Sequence, residues 1–166
     1  FNVIGIASRT EKKANQFAQE FNIEPYHSYE SLLEIQNIDA VYIPLPNNLH
    51  YQWIKNALEK NLHVLVEKSM ACSYVEVVEL NTLAKEKNLA LIENFQFRFH
   101  SQLKYIKNLI TTGKIGELRN IRSSFGFPPF SDDDNIRYKS DLGGGALLDA
   151  GAYPLKISQI FLGSDI

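Results

Sequence analysis

Over the first 95 residues, short apolar runs alternate with longer amphipathic ones. Asn2 to Ser8, Asp39 to Pro44, His63 to Val66 and Leu89 to Ile92 have the length and content of buried strands. Between them, residues 10–21, 47–59 and 73–87 carry apolar side chains at helical spacing. The first of these turns Ala14, Phe17, Ala18 and Phe21 inward behind a Thr10 cap. Tyr26 to Leu33 predicts a short edge strand and a short helix capped by Ser28 or Ser31. Fully apolar strands alternating with helices predict an α/β fold, a doubly wound parallel sheet covered on both faces.

The pattern changes after Phe95. Residues 99–111 predict one more helix with Leu103, Ile106, Leu109 and Ile110 inward, ended by Gly113. Glu117 to Phe127 alternates apolar and polar side chains, which predicts a strand with one buried face and the start of an α+β domain with an antiparallel sheet. The domain boundary is therefore placed between residues 1–96 and 97–166. A loop with two prolines and Asp132-Asp133-Asp134 leads into Gly143, Gly144 and Gly145, glycines that would let backbone approach a ligand. Ala146, Leu147, Leu148, Ala150, Ala152 and Leu155 then predict a buried helix. Asp149 and Tyr153 are one turn apart on it, near its positive end, where a negative or developing-negative group is favoured. Taken alone, the stretch fits equally a helix whose Asp makes an ordinary capping or surface contact.

Composition narrows the classes. The chain is 45% hydrophobic and 22% charged, with 17 basic and 19 acidic residues and a net charge of -2. No basic cluster makes an electrostatic case for nucleic acid or an anionic membrane. One cysteine, Cys72, excludes an internal disulfide and fits a reducing, cytoplasmic setting. His27, His63 and His100 are too scattered for a metal site, and the three aspartates lack a spaced calcium loop, so no metal is expected. Tyr51 and Trp53 read as packing residues and Cys72 as an inert small side chain. The chain opens on Phe1 inside a predicted strand and stops just past a helix, so both ends read as cut from something longer.

In open parallel sheets, ligands sit beyond the carboxyl ends of the strands. The residues there are Ser8-Arg9, Pro44 to His50, and Glu67-Lys68. Lys68 directly follows a strand, where a fixed ammonium can polarise a carbonyl or lower the pKa of a neighbouring phenol. Ser8 and Arg9 end the first strand of the chain; if that strand is the second of a dinucleotide fold, whose end carries a carboxylate for NAD, a hydroxyl beside a guanidinium suits the 2'-phosphate of NADP(H) better than NAD(H), the alternative being that Arg9 simply solvates a helix start.

Four motifs in order, Pro46-Asn47 with His50, His63-Val-Leu-Val-Glu-Lys68, Glu93-Asn-Phe-Gln-Phe-Arg-Phe-His100, and Gly143-Gly-Gly-Ala-Leu-Leu-Asp149 with Gly151 and Tyr153, resemble the glucose-fructose oxidoreductase and inositol dehydrogenase family. The resemblance covers nearly the whole chain and implies a partial NAD(P)-binding Rossmann domain over 1–96 and the start of a substrate and oligomerisation domain over 97–166. It implies catalytic roles for Lys68, Asp149 and Tyr153, and a cofactor lined by Ser8, Arg9, Pro44, Asn47, His50, Glu67 and Arg98. Phe127-Pro-Pro-Phe130 with Asn135, Arg137 and Tyr138, leading to Tyr153-Pro154, looks like the branch that reduces a 3-keto-deoxyhexose on a nucleoside diphosphate. The partners so implied are a sugar or nucleotide-sugar substrate and, through the antiparallel sheet, further copies of the chain.

Two features depart from the family pattern. Ser69 stands where Pro usually follows the Glu-Lys pair, and the first strand with its glycine-rich phosphate turn would precede Phe1. Without a helix N-terminus for the pyrophosphate, the isolated 166-residue chain is expected to bind cofactor poorly or not at all; tight NADPH binding in calorimetry would contradict this. The rival expectation is a non-catalytic NAD(P)-binding sensor on the same fold, which has no need of Lys68, Asp149 and Tyr153 together. Cofactor binding without turnover of any ketosugar would favour it.

Overall fold

A computed structural model describes residues 1–163; Ser164 to Ile166, the point at which the chain stops, lie outside the described residues. Five parallel strands alternate with helices: β1 (Gly5–Ala7), α1 (Glu11–Phe21), β2 (Glu24–Tyr26), α2 (Tyr29–Leu33), β3 (Ala40–Ile43), α3 (Asn47–Glu59), β4 (His63–Glu67), α4 (Tyr74–Glu86) and β5 (Leu91–Asn94). Helices α5 (Ser101–Thr111) and α6 (Ala152–Leu162) follow. The strands form two groups, β1–β2 and β3–β4–β5, every pairing parallel. The break between β1 and β3 falls at the place that doubly wound sheets of order 3-2-1-4-5-6 give to their first strand.

Local chemistry accounts for the helix ends. Thr10, Ser28 and Ser73 each accept a backbone N–H at the helix start, and Ser28 and Ser73 complete capping boxes with Ser31 and Glu76. Helices α1, α3 and α4 all close through an asparagine with positive φ, Asn22, Asn61 and Asn88. The next residue's N–H then donates five residues back: Ile23 to Ala18, Leu62 to Ala57 and Leu89 to Ala84. This is the left-handed C-terminal closure in which an apolar residue follows the turn.

The core lies between β3–β4–β5 and helices α3 and α4, around Ile43, Ile54, Leu58, Val64, Val66 and Leu80. Among the described residues one face of this sheet is covered, where the pattern of apolar strands leads to two. Val64 and Val66 are buried, whereas Tyr42, Leu65 and Ile92, in register across three strands on the other face, are exposed. Helix α1 packs on β1 and β2 instead and leaves that face open among the described residues. Its expected stripe is half met: Ala14 and Ala18 are buried, but Phe17 and Phe21 are exposed and stack on each other. The strand expected at 89–92 is β5, two residues later. The α5 stripe is half-buried as predicted.

The strand expected over 117–127 does not form. Alternation gives a segment two faces, but a strand also needs a neighbour for its backbone groups, and none lies beside it among the described residues. Among the described residues no helix is long and apolar enough to cross a membrane, and no cluster of three or more His, Cys, Asp or Glu is placed to hold a metal.

Candidate active site

Two consecutive residues after β4 reach across to two consecutive residues of the glycine stretch. Lys68 Nζ donates to Asp149 Oδ1 at 2.5 Å and to the Asp149 carbonyl at 2.9 Å, and Ser69 Oγ donates to the Leu148 carbonyl at 3.0 Å. Arg137 Nε donates to the other carboxylate oxygen, Asp149 Oδ2, at 2.9 Å. The Lys68 and Asp149 side chains are only 13% and 16% exposed, against 42% for Arg137, so the carboxylate is held at both ends in a partly dry setting. Two cations against one carboxylate leave a net positive charge, the sign that stabilises a developing oxyanion. Tyr153 completes the group: Lys68 Nζ lies 5.1 Å from its ring centroid, and the ring is walled by Phe125, Phe97 and Phe95 at 4.7, 5.8 and 6.1 Å. A cavity of about 650 Å³ opens beside Asp149, lined by Phe125, Phe127, Phe130, Arg137 and Tyr138.

The glycine stretch is shaped differently from its prediction. Residues 147–151 form a π-helical turn before α6, so Asp149 and Tyr153 are separated by a wider turn than a plain α-helix provides. Pro154, in the first turn of α6, has no N–H to continue a regular ladder, and such wide turns recur at functional sites. The expected burial also fails, since Leu147 and Leu155 are exposed. The first two glycines are also required by packing, although Gly144 lines the cavity as well. Gly143 has φ +72°, and a Cβ there would lie 2.7 Å from Cys72 Sγ and 2.8 Å from Asn47 Cβ. A Cβ on Gly144 would meet the carbonyl oxygens of Ile136, Arg137 and Lys139, each at 2.7 Å. Only Gly145, φ +115°, faces open space. Gly144→Ala is therefore expected to destabilise the protein by about 1–3 kcal/mol. Gly126→Ala, where a Cβ meets nothing within 4 Å, should stay within about 0.5 kcal/mol of wild type. Urea unfolding of the two variants checks the contrast.

The start of α3 latches onto the same stretch. Asn47 Nδ2 donates to the Gly143 carbonyl at 2.8 Å and Asn48 Nδ2 to the Asp141 carbonyl at 2.9 Å. Glu67, at the end of β4, accepts from the Tyr42 hydroxyl at 2.7 Å and from Asn94 at 2.6 Å. Although the residue is exposed overall, local desolvation of its hydroxyl and this bond to the carboxylate push Tyr42 up to about 12, so it remains a donor at neutral pH. Asn135 Oδ1 accepts the Arg137 backbone N–H at 3.1 Å, and the Tyr138 hydroxyl accepts the Phe130 N–H at 2.9 Å, so both shape the cavity loop. Ser8 and exposed Arg9 follow β1 on the two-stranded sheet; Pro44 is exposed after β3, and Arg98 is exposed on the 3₁₀ turn Gln96–Phe99. His50, whose place at a helix start suits a packing role as evenly as a cofactor contact, takes the packing role: it is fully buried, and both ring nitrogens face backbone carbonyls.

A model described as the oxidoreductase family with an NAD-binding Rossmann fold matches residues 1–95, and the GFO/IDH/MocA C-terminal domain matches residues 103–166. The chain belongs to the GFO/IDH/MocA family. Among its relatives in that family is the dTDP-3,4-didehydro-2,6-dideoxy-alpha-D-glucose 3-reductase of Saccharopolyspora spinosa, 46% identical over 160 residues, or 96% of this chain and 48% of that one. The D-xylose 1-dehydrogenase (NADP(+)) 2 of Haloferax volcanii is 38% identical over 160 residues, 96% and 49% of the two chains. A crystal structure of a 3-ketoreductase from Actinomadura kijaniata in complex with NADP and TDP-benzene superimposes with a TM-score of 0.94 at 43% identity, covering 99% of this chain and 50% of that one. The chain spans about half the length of the GFO/IDH/MocA relatives it matches.

Several site residues of this GFO/IDH/MocA chain escaped the sequence reading. Ser69 and Asn48 sit beside residues already singled out, and their small polar side chains at strand and helix ends were the available signal. Tyr42 and Asn94 become visible only once β3, β4 and β5 are set in register, which places Asn94 opposite Glu67. The Lys68–Ser69 peptide is cis.

Proposed function

We propose that the full-length protein is an NADP-dependent oxidoreductase that reduces a keto group on a sugar, a 3-keto-deoxyhexose carried on a nucleoside diphosphate. The observation that carries this reading is the convergence of Lys68, Asp149 and Tyr153 from two separate parts of the chain, with a cavity opening at Asp149. Relatives with that substrate in their name, and a neighbour holding NADP with a TDP-linked compound, support the same reading.

Ser8 and Arg9 would hold the cofactor's 2'-phosphate: they bring a hydroxyl and a guanidinium, and no carboxylate ends β1. Bound NADPH supplies the hydride. As the carbonyl oxygen gathers charge, Lys68 stabilises it, and Asp149, held between Lys68 and Arg137, fixes the ammonium in place. Tyr153 delivers the proton, because Lys68 Nζ is already committed to two oxygens of Asp149. The aromatic cavity loop with Arg137 offers stacking faces and a cation, complementary to a nucleoside diphosphate.

The test is NADPH oxidation by the full-length protein with a nucleotide-linked ketosugar and with the free ketosugar. Turnover of the linked substrate supports the reading; binding of cofactor without turnover of either removes it. NADPH is expected to be preferred over NADH, and Arg9→Asp to lower kcat/KM for NADPH by about ten- to a hundredfold. An unchanged ratio between the two cofactors would detach Arg9 from the phosphate.

A further inference from the structure

His50, in the first turn of α3, is a fully buried titratable side chain that the chemistry above leaves unused. Its Nδ1 lies 2.7 Å from the Ser69 carbonyl and its Nε2 2.7 Å from the Leu45 carbonyl. Leu45 belongs to the loop after β3. Ser69 belongs to the loop after β4 and directly follows Lys68. One imidazole therefore spans the two loops at the sheet's rim, and through Ser69 it grips the chain that presents the ammonium.

A neutral imidazole has a single N–H, and its second nitrogen offers only a lone pair. Two carbonyl oxygens at opposite ends of the ring are both satisfied only when the ring carries two protons. With one proton, either Leu45 or Ser69 faces a lone pair at hydrogen-bonding distance. Burial lowers the ring's pKa from the ordinary histidine value, against the opposing pull of the two carbonyls and of Glu67 on β4 and Glu93 on β5. The second proton is thus gained below a pH of about 6.5. Glu93 is itself tied to this loop, since its Oε1 accepts the Met70 N–H at 2.8 Å. The charged groups acting on the ring are then Glu67 and Glu93.

We infer that His50 is a positioning residue for Lys68, bonded to one of the loops after β3 and β4 when neutral and clamping the two together when doubly protonated. The inference rests on the reading of Lys68 as a catalytic group.

In the full-length protein, His50→Ala is expected to lower kcat by about 10- to 100-fold, the cost of a small misplacement of a reacting group, with KM for NADPH little changed. His50→Gln, which keeps one donor, should recover part of this loss. The titration is the sharper readout. Wild-type kcat should show a limb below pH ~6.5 that rises as the pH falls, and both variants should be flat there. Hydrogen exchange of the amides of residues 69–71 should quicken in both variants, and in wild type it should slow through the same pH range. Nitrogen-15 spectra of histidine-labelled protein should show both His50 nitrogens protonated below that limb. Unchanged exchange in His50→Gln, or a ring that never carries two protons, overturns the inference. If Lys68 variants retain turnover while exchange and nitrogen spectra behave as described, the clamp stands and the catalytic reading of Lys68 falls.

Discussion

Replacing Lys68 with methionine in the full-length protein is expected to lower kcat by about 10²–10³-fold, the usual cost of losing one donor aimed at a developing oxyanion. Methionine keeps an unbranched, flexible stem of similar length, so the volume at the site is largely retained. The substitution also avoids the larger penalty of orphaning a buried charge, roughly 3–5 kcal/mol, because Arg137 still holds Asp149 Oδ2. A thermal melt close to wild type alongside the loss of turnover would separate chemistry from folding. Steady-state kinetics with the nucleotide-linked ketosugar checks it, and a kcat within a few-fold of wild type would take Lys68 out of the reaction.

Tyr153→Phe is expected to lower kcat by roughly two to four powers of ten, the contribution of a positioned proton donor. The ring packs against Phe125, Phe97 and Phe95, and phenylalanine preserves all three contacts, so the variant isolates the hydroxyl. KM should move little, because the proton is needed in the transition state rather than for binding. Turnover near wild type would transfer the donor role to Lys68. A large rise in KM with kcat retained would instead make Tyr153 a binding residue.

What could be read from the chain was what local chemistry decides. Thr10, Ser28 and Ser73 start helices because their oxygens reach an N–H three residues on, a contact written in consecutive residues. Asn22, Asn61 and Asn88 carried an equally local signal, each followed by Ile or Leu, although glycine is the more familiar terminator. The alternation of strands with helices was likewise legible as a parallel α/β fold. Residues 117–127 were misjudged because a strand depends on a partner that alternation cannot specify. The open face of Tyr42, Leu65 and Ile92 was hidden for the same reason, since apolar residues look alike whether a helix covers them or not. At the site, Lys68 and Asp149 are 81 positions apart. Their meeting was expected from the strand-end rule and from family resemblance, whereas the bond from Arg137 to Asp149 and the enclosure of His50 follow from packing that no spacing encodes.

The joint between the two halves of the chain is chemically one-sided. Asn47, Asn48, Lys68 and Ser69 supply the side-chain donors, and the carbonyls of Gly143, Asp141, Asp149 and Leu148 receive them. Every amino acid carries a carbonyl, so the hydrogen bonds of the seam ask for one side chain of the receiving half, the Asp149 carboxylate, to which Tyr153 adds its ring against Phe95 and Lys68. Arg137 of the cavity loop holds Asp149, and the side chains of that loop make no hydrogen bond to the donor half among the described residues, which makes this seam a natural crossover point for building chimeras.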